Sequence, residues 1–304
     1  MTTAAPAGSA PALAPSSRPG RRRPIRRRGD RLGPVSLLGR LITWAWVLFN
    51  LAVFLWMVFA SLKNSGQVFD SPWQPPTHPE WSNYGNVWNA SDLARAFVNS
   101  ILLVGGSTLV VLVLACPAAY ALSRFVFFGS RVMTLYFVMG MGIPAQTIVV
   151  PAYIGMSHLS LVDSLPSLGL LYVAGSLPFA IFLLTGFFST LPSELEEAAT
   201  IDGAGRVRTF TQVMLPLAQP GVITAGLLTA VGLWSETFLS LVFISDDARD
   251  PLGLSVLTLY ASMQYTSNWG GLFAGVCIMV LPVLVTYVWL GRRIVSGLTV
   301  GVGR

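Results

Sequence analysis

Charge is what this sequence has least of. Of 304 residues only 11% are Asp, Glu, Lys or Arg, against roughly 25% in soluble domains. So few charged groups cannot cover a water-soluble globule, and a chain that is 53% hydrophobic is too apolar to stay disordered. Its mean hydropathy, +0.65, points to lipid. Lysine occurs once, in Ser61-Leu62-Lys63-Asn64, so the phosphate loop G-x-x-x-x-G-K-[ST] is missing and nucleotide hydrolysis by that route is excluded. The only two cysteines, Cys116 and Cys277, lie inside apolar runs, where they read as packing residues rather than a disulfide framework or metal site. The two histidines, His78 and His158, stand in separate connections, and no G-x-S-x-G occurs, so nucleophile–base catalysis has nothing to build on. Gly140-x-Gly142 follows no strand and is no dinucleotide fingerprint. The sequence calls for no cofactor and no metal.

What is present comes as long unbroken apolar runs. Ten-residue alternation would suit a barrel; these runs suit helices, the other structure that satisfies its backbone in lipid. Six of them approach the ~20 residues a bilayer demands: residues 41–62, 101–122, 132–153, 168–188, 222–244 and 272–290. Five contain no Asp, Glu, Lys, Arg or His, and the fifth carries Glu236. Ahead of them, residues 1–36 read as a disordered basic tail, rich in Ala, Pro and Ser up to Ser17, with arginines at 21–23 and 26–28. A span follows at once, so these arginines fit an anionic lipid surface rather than nucleic acid. Paired arginines also mark export signals, but the run after them is too long and lacks a small-residue cleavage site, which makes it an anchor.

Charge placement sets the orientation. With the N-terminus inside, the inner segments hold 16 arginines and five acids, while the outer segments hold three bases and seven acids. The positive-inside rule therefore gives N-in, C-in. The expectation is an all-α polytopic membrane protein of six transmembrane helices over residues 37–304. Pro144, Pro151, Pro178 and Pro282 predict kinks, and Gly271-x-x-x-Gly275 reads as ordinary helix packing. Glu236 would cost ~3 kcal/mol near a span centre. It falls about 5 Å to the outer side of the midplane, with Trp234 and Phe238 beside it. Two readings stay open there: a residue of a translocation path, or a hydrogen bond to a neighbouring helix. Lys63–Ser100, with its Pro-rich stretch 72–79, and Asp246–Asp250 read as outer connections.

The inner connection 191–217 is unusually long. Ser193 and Glu196 have the spacing of a capping box, with acids in the first turn. Gly203 is placed to end that helix. A second segment offers Val207, Phe210, Val213 and Met214 on one side before Pro216 closes it. This predicts a helix–turn–helix that either lies at the lipid interface or docks a soluble partner.

Within it, Glu197-Ala198-Ala199-x-x-Asp202-Gly203-Ala204, with Phe210 and Leu215-Pro216-Leu217, resembles the EAA loop of ABC-importer permeases. Ala118-Ala119-Tyr120-Ala121-Leu122-Ser123-Arg124, Asn99-Ser100 and Gly297-Leu298-Thr299-Val300-Gly301 resemble the carbohydrate-uptake branch, the maltose-type inner-membrane subunit. The resemblance covers roughly residues 37–304. One departure is Trp234-Ser235-Glu236-Thr237-Phe238, where the family more often has Trp-Asn-Glu-Phe. The resemblance implies a type I permease bundle with a cytoplasmic coupling helix, working with ATPase subunits, a second and different permease chain, and an extracytoplasmic solute-binding protein. It implies that Glu197 makes polar contact with the ATPase, that Ala198 and Ala199 allow close seating, and that Gly203 sets the bend. Asp202, Phe210, Leu215 and Pro216 complete the motif. The solute would be a sugar, with Glu236, Trp234 and Phe238 as candidates for its path. A secondary transporter would call for related halves or several intramembrane acids, and an intramembrane enzyme for clustered catalytic groups; neither pattern is present.

Overall fold

A computed structural model describes residues 34–90 and 92–302, and among them every regular element is a helix or a helical turn. The chain forms two units, Met1–Leu51 and Ala52–Arg304. In the first, the described part opens helix α1 (Pro34–Ser61), whose first residue is a proline, favoured there because the missing N–H has no intrahelical role. Trp44, Trp46 and Phe49 are exposed on it, as a helix that is apolar all round requires when lipid is its solvent. Most of the tail expected over 1–36 lies outside the described residues, and α1 begins inside its last three positions.

The second unit continues with α2 (Ser65–Asp70), α3 (Ser82–Ala90), α4 (Leu93–Arg124), α5 (Ser130–Gly140), α6 (Ala145–His158) and α7 (Leu165–Thr190). Then come α8 (Glu194–Ile201), α9 (Arg206–Thr209), a π-helical turn (Phe210–Met214), α10 (Leu215–Leu217), α11 (Gln219–Trp234), α12 (Phe238–Phe243), α13 (Leu252–Thr266) and α14 (Trp269–Val302). Four helices are long and apolar enough to cross a membrane, and two sharply bent pairs bring the number to six if each pair is one span. The third and fifth expected spans are where structure and sequence reading differ. Residues 132–153 form no straight rod: α5 and α6 meet at 100°, because Pro144 sits in an extended conformation and supplies no N–H to continue the helix. Residues 222–244 break at Ser235–Thr237, between α11 and α12. Two more helices, α2 and α3, occupy the stretch expected to be a plain connection, and α13 fills the one before the last span.

Packing centres on α4 against α7. One core gathers Val111, Ala115, Tyr120, Ala180, Leu184 and Phe188 with Met214 and Ala225. A second joins Leu103, Leu168 and Tyr172 to Leu233 and Phe243, and a third joins Val87 and Leu93 to Leu252 and Leu272. Gly275 behaves as the packing residue expected, since a Cβ there would stand 3.3 Å from the Leu259 side chain on α13. Cys116 is buried and Cys277 half-buried.

The connection after α12 is clasped to the one before α7. Asp163 holds a left-handed backbone, φ 59°, and its Oδ1 accepts the N–H groups of Ser245 at 2.9 Å and Asp246 at 3.1 Å. Arg249 closes on the same carboxylate at 2.6 Å. Asn99 fixes the far side, donating to the carbonyls of Ala248 and Asp250. The N–H groups of Ser245 and Asp246, with Arg249, hold Asp163 below the usual carboxylate range. Asp250 is 6% exposed; burial, then Asp247, Asp246 and Asp163, push its carboxyl up to about 6. The folded state thus keeps the Asp250 proton above the unfolded pKa, and stability falls as pH rises from the unfolded value through about 6. Asp163 acts in the opposite sense and only at lower pH. Asp250→Asn should therefore raise the melting temperature near pH ~8 and leave it almost unchanged near pH ~4. Equal shifts at both would show that its ionisation is not the cause.

Candidate functional site

Two regions concentrate the unusual chemistry. The first is the segment after α7. Ser193 already has helical dihedrals and its side chain caps nothing, so the expected capping box does not form. Its backbone carbonyl takes the N–H groups of Glu196 and Glu197, while the Glu196 carboxylate turns away to Arg124. The C-terminus matches the sequence: Gly203 has φ +79°, Gly203 N–H reaches the Thr200 carbonyl at 3.0 Å and Ala204 N–H the Ala199 carbonyl at 2.9 Å. This is a Schellman ending, which gives α8 a defined stop at its C-terminus.

The two halves of the segment face different ways. In α8, Ala199 is buried, while Glu197, Ala198 and, beyond the helix, Asp202 and Gly203 are exposed. Ile201 stands 85% exposed. The continuation is threaded into the bundle: Met214 is 0% exposed within the α4/α7 core, and Phe210 lies 5.0 Å from the Tyr120 ring and 6.4 Å from that of Phe188. Leu215 packs on the same core and Pro216 is exposed. Val207, expected to share that apolar side, is 77% exposed, because the turn widens after it. Pro216 cannot donate a helical N–H and crowds the preceding turn, and the chain answers with a π-turn in which Leu215 N–H bonds to the Phe210 carbonyl. π-Turns recur at functional positions.

The second region is the break in the fifth span. Ser235 Oγ bonds back to the Val231 and Gly232 carbonyls, offering the backbone a competing partner as α11 ends. Glu236 Oε1 accepts Leu239 N–H at 2.8 Å, so its side chain caps α12, and Oε2 accepts the Tyr172 hydroxyl at 2.9 Å. Ser240 Oγ lies 2.9 Å from the same hydroxyl. Trp234 donates its indole N–H to the Met279 carbonyl at 3.0 Å and meets the Phe97 ring edge-on. Phe238 remains exposed. The three candidates are thus neighbours along the chain with different surroundings: two are fastened to α7 and α14, and one is free. A groove of about 620 Å³ between α4 and α7 is lined almost wholly by apolar side chains such as Leu102, Val110, Leu114 and Leu170. It lacks the convergent polar groups that a polar solute needs. Among the described residues no cluster of three metal-ligating side chains occurs.

The family described as "Binding-protein-dependent transport system inner membrane component" matches residues 111–295. The chain belongs to this family. Among this permease's relatives, the diacetylchitobiose uptake system permease protein NgcG of Streptomyces coelicolor is 34% identical, covering 87% of this chain and 87% of that protein. The trehalose transport system permease protein SugB of Mycobacterium tuberculosis is 32% identical over 81% of this chain and 90% of its own. In fold the permease matches a bacterial ABC transporter involved in import of the acidic polysaccharide alginate, with a TM-score of 0.74 at 23% identity over 89% of this chain and 99% of that one. It is a multi-pass inner-membrane transport subunit and not an enzyme. Two residues of these sites carry no sequence signal of their own: Tyr172 and Ser240 look like ordinary span residues until the break brings them to Glu236. Arg124 lies in a stretch that carries the family resemblance, but its partner shows only when α8 folds back on it.

Proposed function

We propose that this permease forms the translocation path for a sugar or oligosaccharide handed over by an extracytoplasmic binding protein, driven by a separate ATP-hydrolysing subunit that grips α8. The observation that carries the reading is the division of labour in one continuous segment. A short helix with a fixed C-terminal stop presents Glu197, Ala198 and Ile201 outward, and the segment that follows it packs Phe210 against the α4/α7 core and buries Met214 within it. A partner that moves α8 must move the bundle core with it. Support for the solute class comes from relatives named for diacetylchitobiose and trehalose. Arginines placed on one side by the sequence support α8 facing the cytoplasm with both termini, beside a second permease of different sequence.

In this reading Glu197 supplies the polar contact to the ATPase and Ala198 the room for close approach, while Ala199, expected to share that role, is buried against the permease itself and seats α8 on its own bundle. Asp202, Gly203, Phe210, Leu215 and Pro216 supply the bend and its anchoring. The break at 234–238 forms part of the path wall: Phe238 offers an aromatic face on which a sugar ring can stack, while Trp234 and Glu236 hold that wall in place. The test is Ala198→Trp on the exposed face of α8, in the full transporter. Co-purification of the ATPase subunit and solute uptake should both fall by at least about tenfold, the loss expected from overfilling a close contact. Retention of both would remove α8 as the docking element.

A further inference from the structure

Arg124, the last residue of α4, is the place where that span touches the segment twice. Its Nε lies 3.5 Å from Glu196 Oε1, with the two side chains only 11% and 22% exposed. Its Nη2 donates to the Leu191 carbonyl, which closes α7. Arg124 Nε and Glu196 Oε1 are both fully covered and, among the described residues, have no hydrogen-bond partner; at 3.5 Å the two face each other as ions rather than as a formed hydrogen bond. Around the pair, Tyr120 rests on Phe125, Phe188 and Phe210, and the Arg206 guanidinium covers the Phe125 ring at 5.1 Å. One guanidinium thus ties the end of α4, the end of α7 and the first turn of α8 together, inside an aromatic collar that screens it from water.

We propose that Arg124 and Glu196 are positioning residues for coupling: a charged joint that fixes α8 to the end of α4, so that movement of α8 turns the α4/α7 pair rather than merely bending the connection. The inference rests on the reading of α8 as the element the ATPase grips. The chemistry favours a joint over a passive contact. A covered ion pair is a poor source of net stability but a specific one, since each charge is tolerated only while the other stays in place. The long distance leaves room for the pair to tighten to full hydrogen-bond contact when α8 is pressed inward. Arginine is suited to this because its planar fork serves two acceptors at once, which lysine cannot do.

The test uses the complete transporter in proteoliposomes, with ATPase subunits and binding protein, and measures solute transported per ATP hydrolysed. Arg124→Met and Glu196→Leu should each lower that ratio about tenfold, the size of one charge-assisted contact. The double variant should lose no more than either single one, because both act through one joint. Arg124→Lys should recover part of the loss. Each single variant leaves one covered charge alone and should melt earlier, whereas the double variant, with neither charge, should melt close to the parent and still co-purify with the ATPase subunit. A ratio unchanged within about twofold in both single variants would overturn the joint, as would losses that multiply in the double variant. So would a fall in uptake that only follows loss of the ATPase subunit, which would make the pair a fold element. Ala198→Trp, away from Arg124 on the exposed face, separates the two levels. If it uncouples while Arg124→Met does not, the joint alone fails; if it too has no effect, the reading of α8 fails with it.

Discussion

Gly203→Val is expected to separate ATP hydrolysis from transport while leaving the permease folded and assembled. Space is not the obstacle, since a Cβ at Gly203 would meet nothing within 4 Å. The obstacle is the backbone: φ is +79°, a region that costs an ordinary L-residue about 1–2 kcal/mol and a β-branched one more. Relaxing it breaks the two hydrogen bonds that end α8, from Gly203 and Ala204 to the Thr200 and Ala199 carbonyls. A local penalty of about 2 kcal/mol changes the population of the bent segment by a factor of roughly 30. The core around Met214 and Phe188 lies beyond the change, so melting of the purified complex should barely shift. Uptake should fall by at least about tenfold at near-normal ATPase activity. Gly203→Pro should do the same more severely, because proline fixes φ near −65° and removes the N–H. Gly203→Asn should keep most of the coupling, as asparagine visits the left-handed region with little penalty. Loss with asparagine equal to that with valine would refute the backbone explanation.

The same residue shows how far sequence alone reaches. A glycine three to four residues after an acidic, alanine-rich run is a local signal, and local signals survive folding: the end of α8, the fourth-span helix and the anchor helix stand close to where periodicity and hydropathy place them. The capping box at Ser193 and Glu196 is equally local in appearance and fails. Glu196 has a stronger partner in Arg124, 72 residues earlier in the chain, and a charge pair in a covered site outweighs one exposed cap. Hydropathy likewise counts residues but not direction. It finds enough apolar chain for the third and fifth spans and misses the 100° bend at Pro144 and the interruption at Ser235–Thr237. A proline that kinks one membrane helix and a proline that turns a corner look alike in sequence, because the outcome depends on which neighbours re-satisfy the freed carbonyls. Val207 fails for a related reason: the amphipathic pattern assumes 3.6 residues per turn, and the π-turn that Pro216 imposes shifts the phase.

Glu236→Ala should be the most damaging single change within the spans. Both carboxylate oxygens are engaged, one by Leu239 N–H at 2.8 Å and one by the Tyr172 hydroxyl at 2.9 Å. Alanine removes both acceptors. The tyrosine keeps Ser240, but Leu239 N–H sits at the start of a six-residue helix in a region with little water, and a covered donor left alone costs about 1–3 kcal/mol. A helix so short has no cooperative reserve, so α12 should fray, and with it the wall that carries Phe238. The complex should melt earlier, and uptake should fall more than about tenfold. Glu236→Gln is the informative control. Its oxygen can still accept Leu239 N–H, and its amide can donate to a tyrosine hydroxyl that then donates to Ser240, so the network survives with one proton reversed. Melting and uptake should stay near those of the parent. If glutamine instead leaves melting intact and raises the solute concentration needed for half-maximal uptake, the carboxylate itself touches the solute, and Glu236 belongs to the path surface rather than to the fastening behind it.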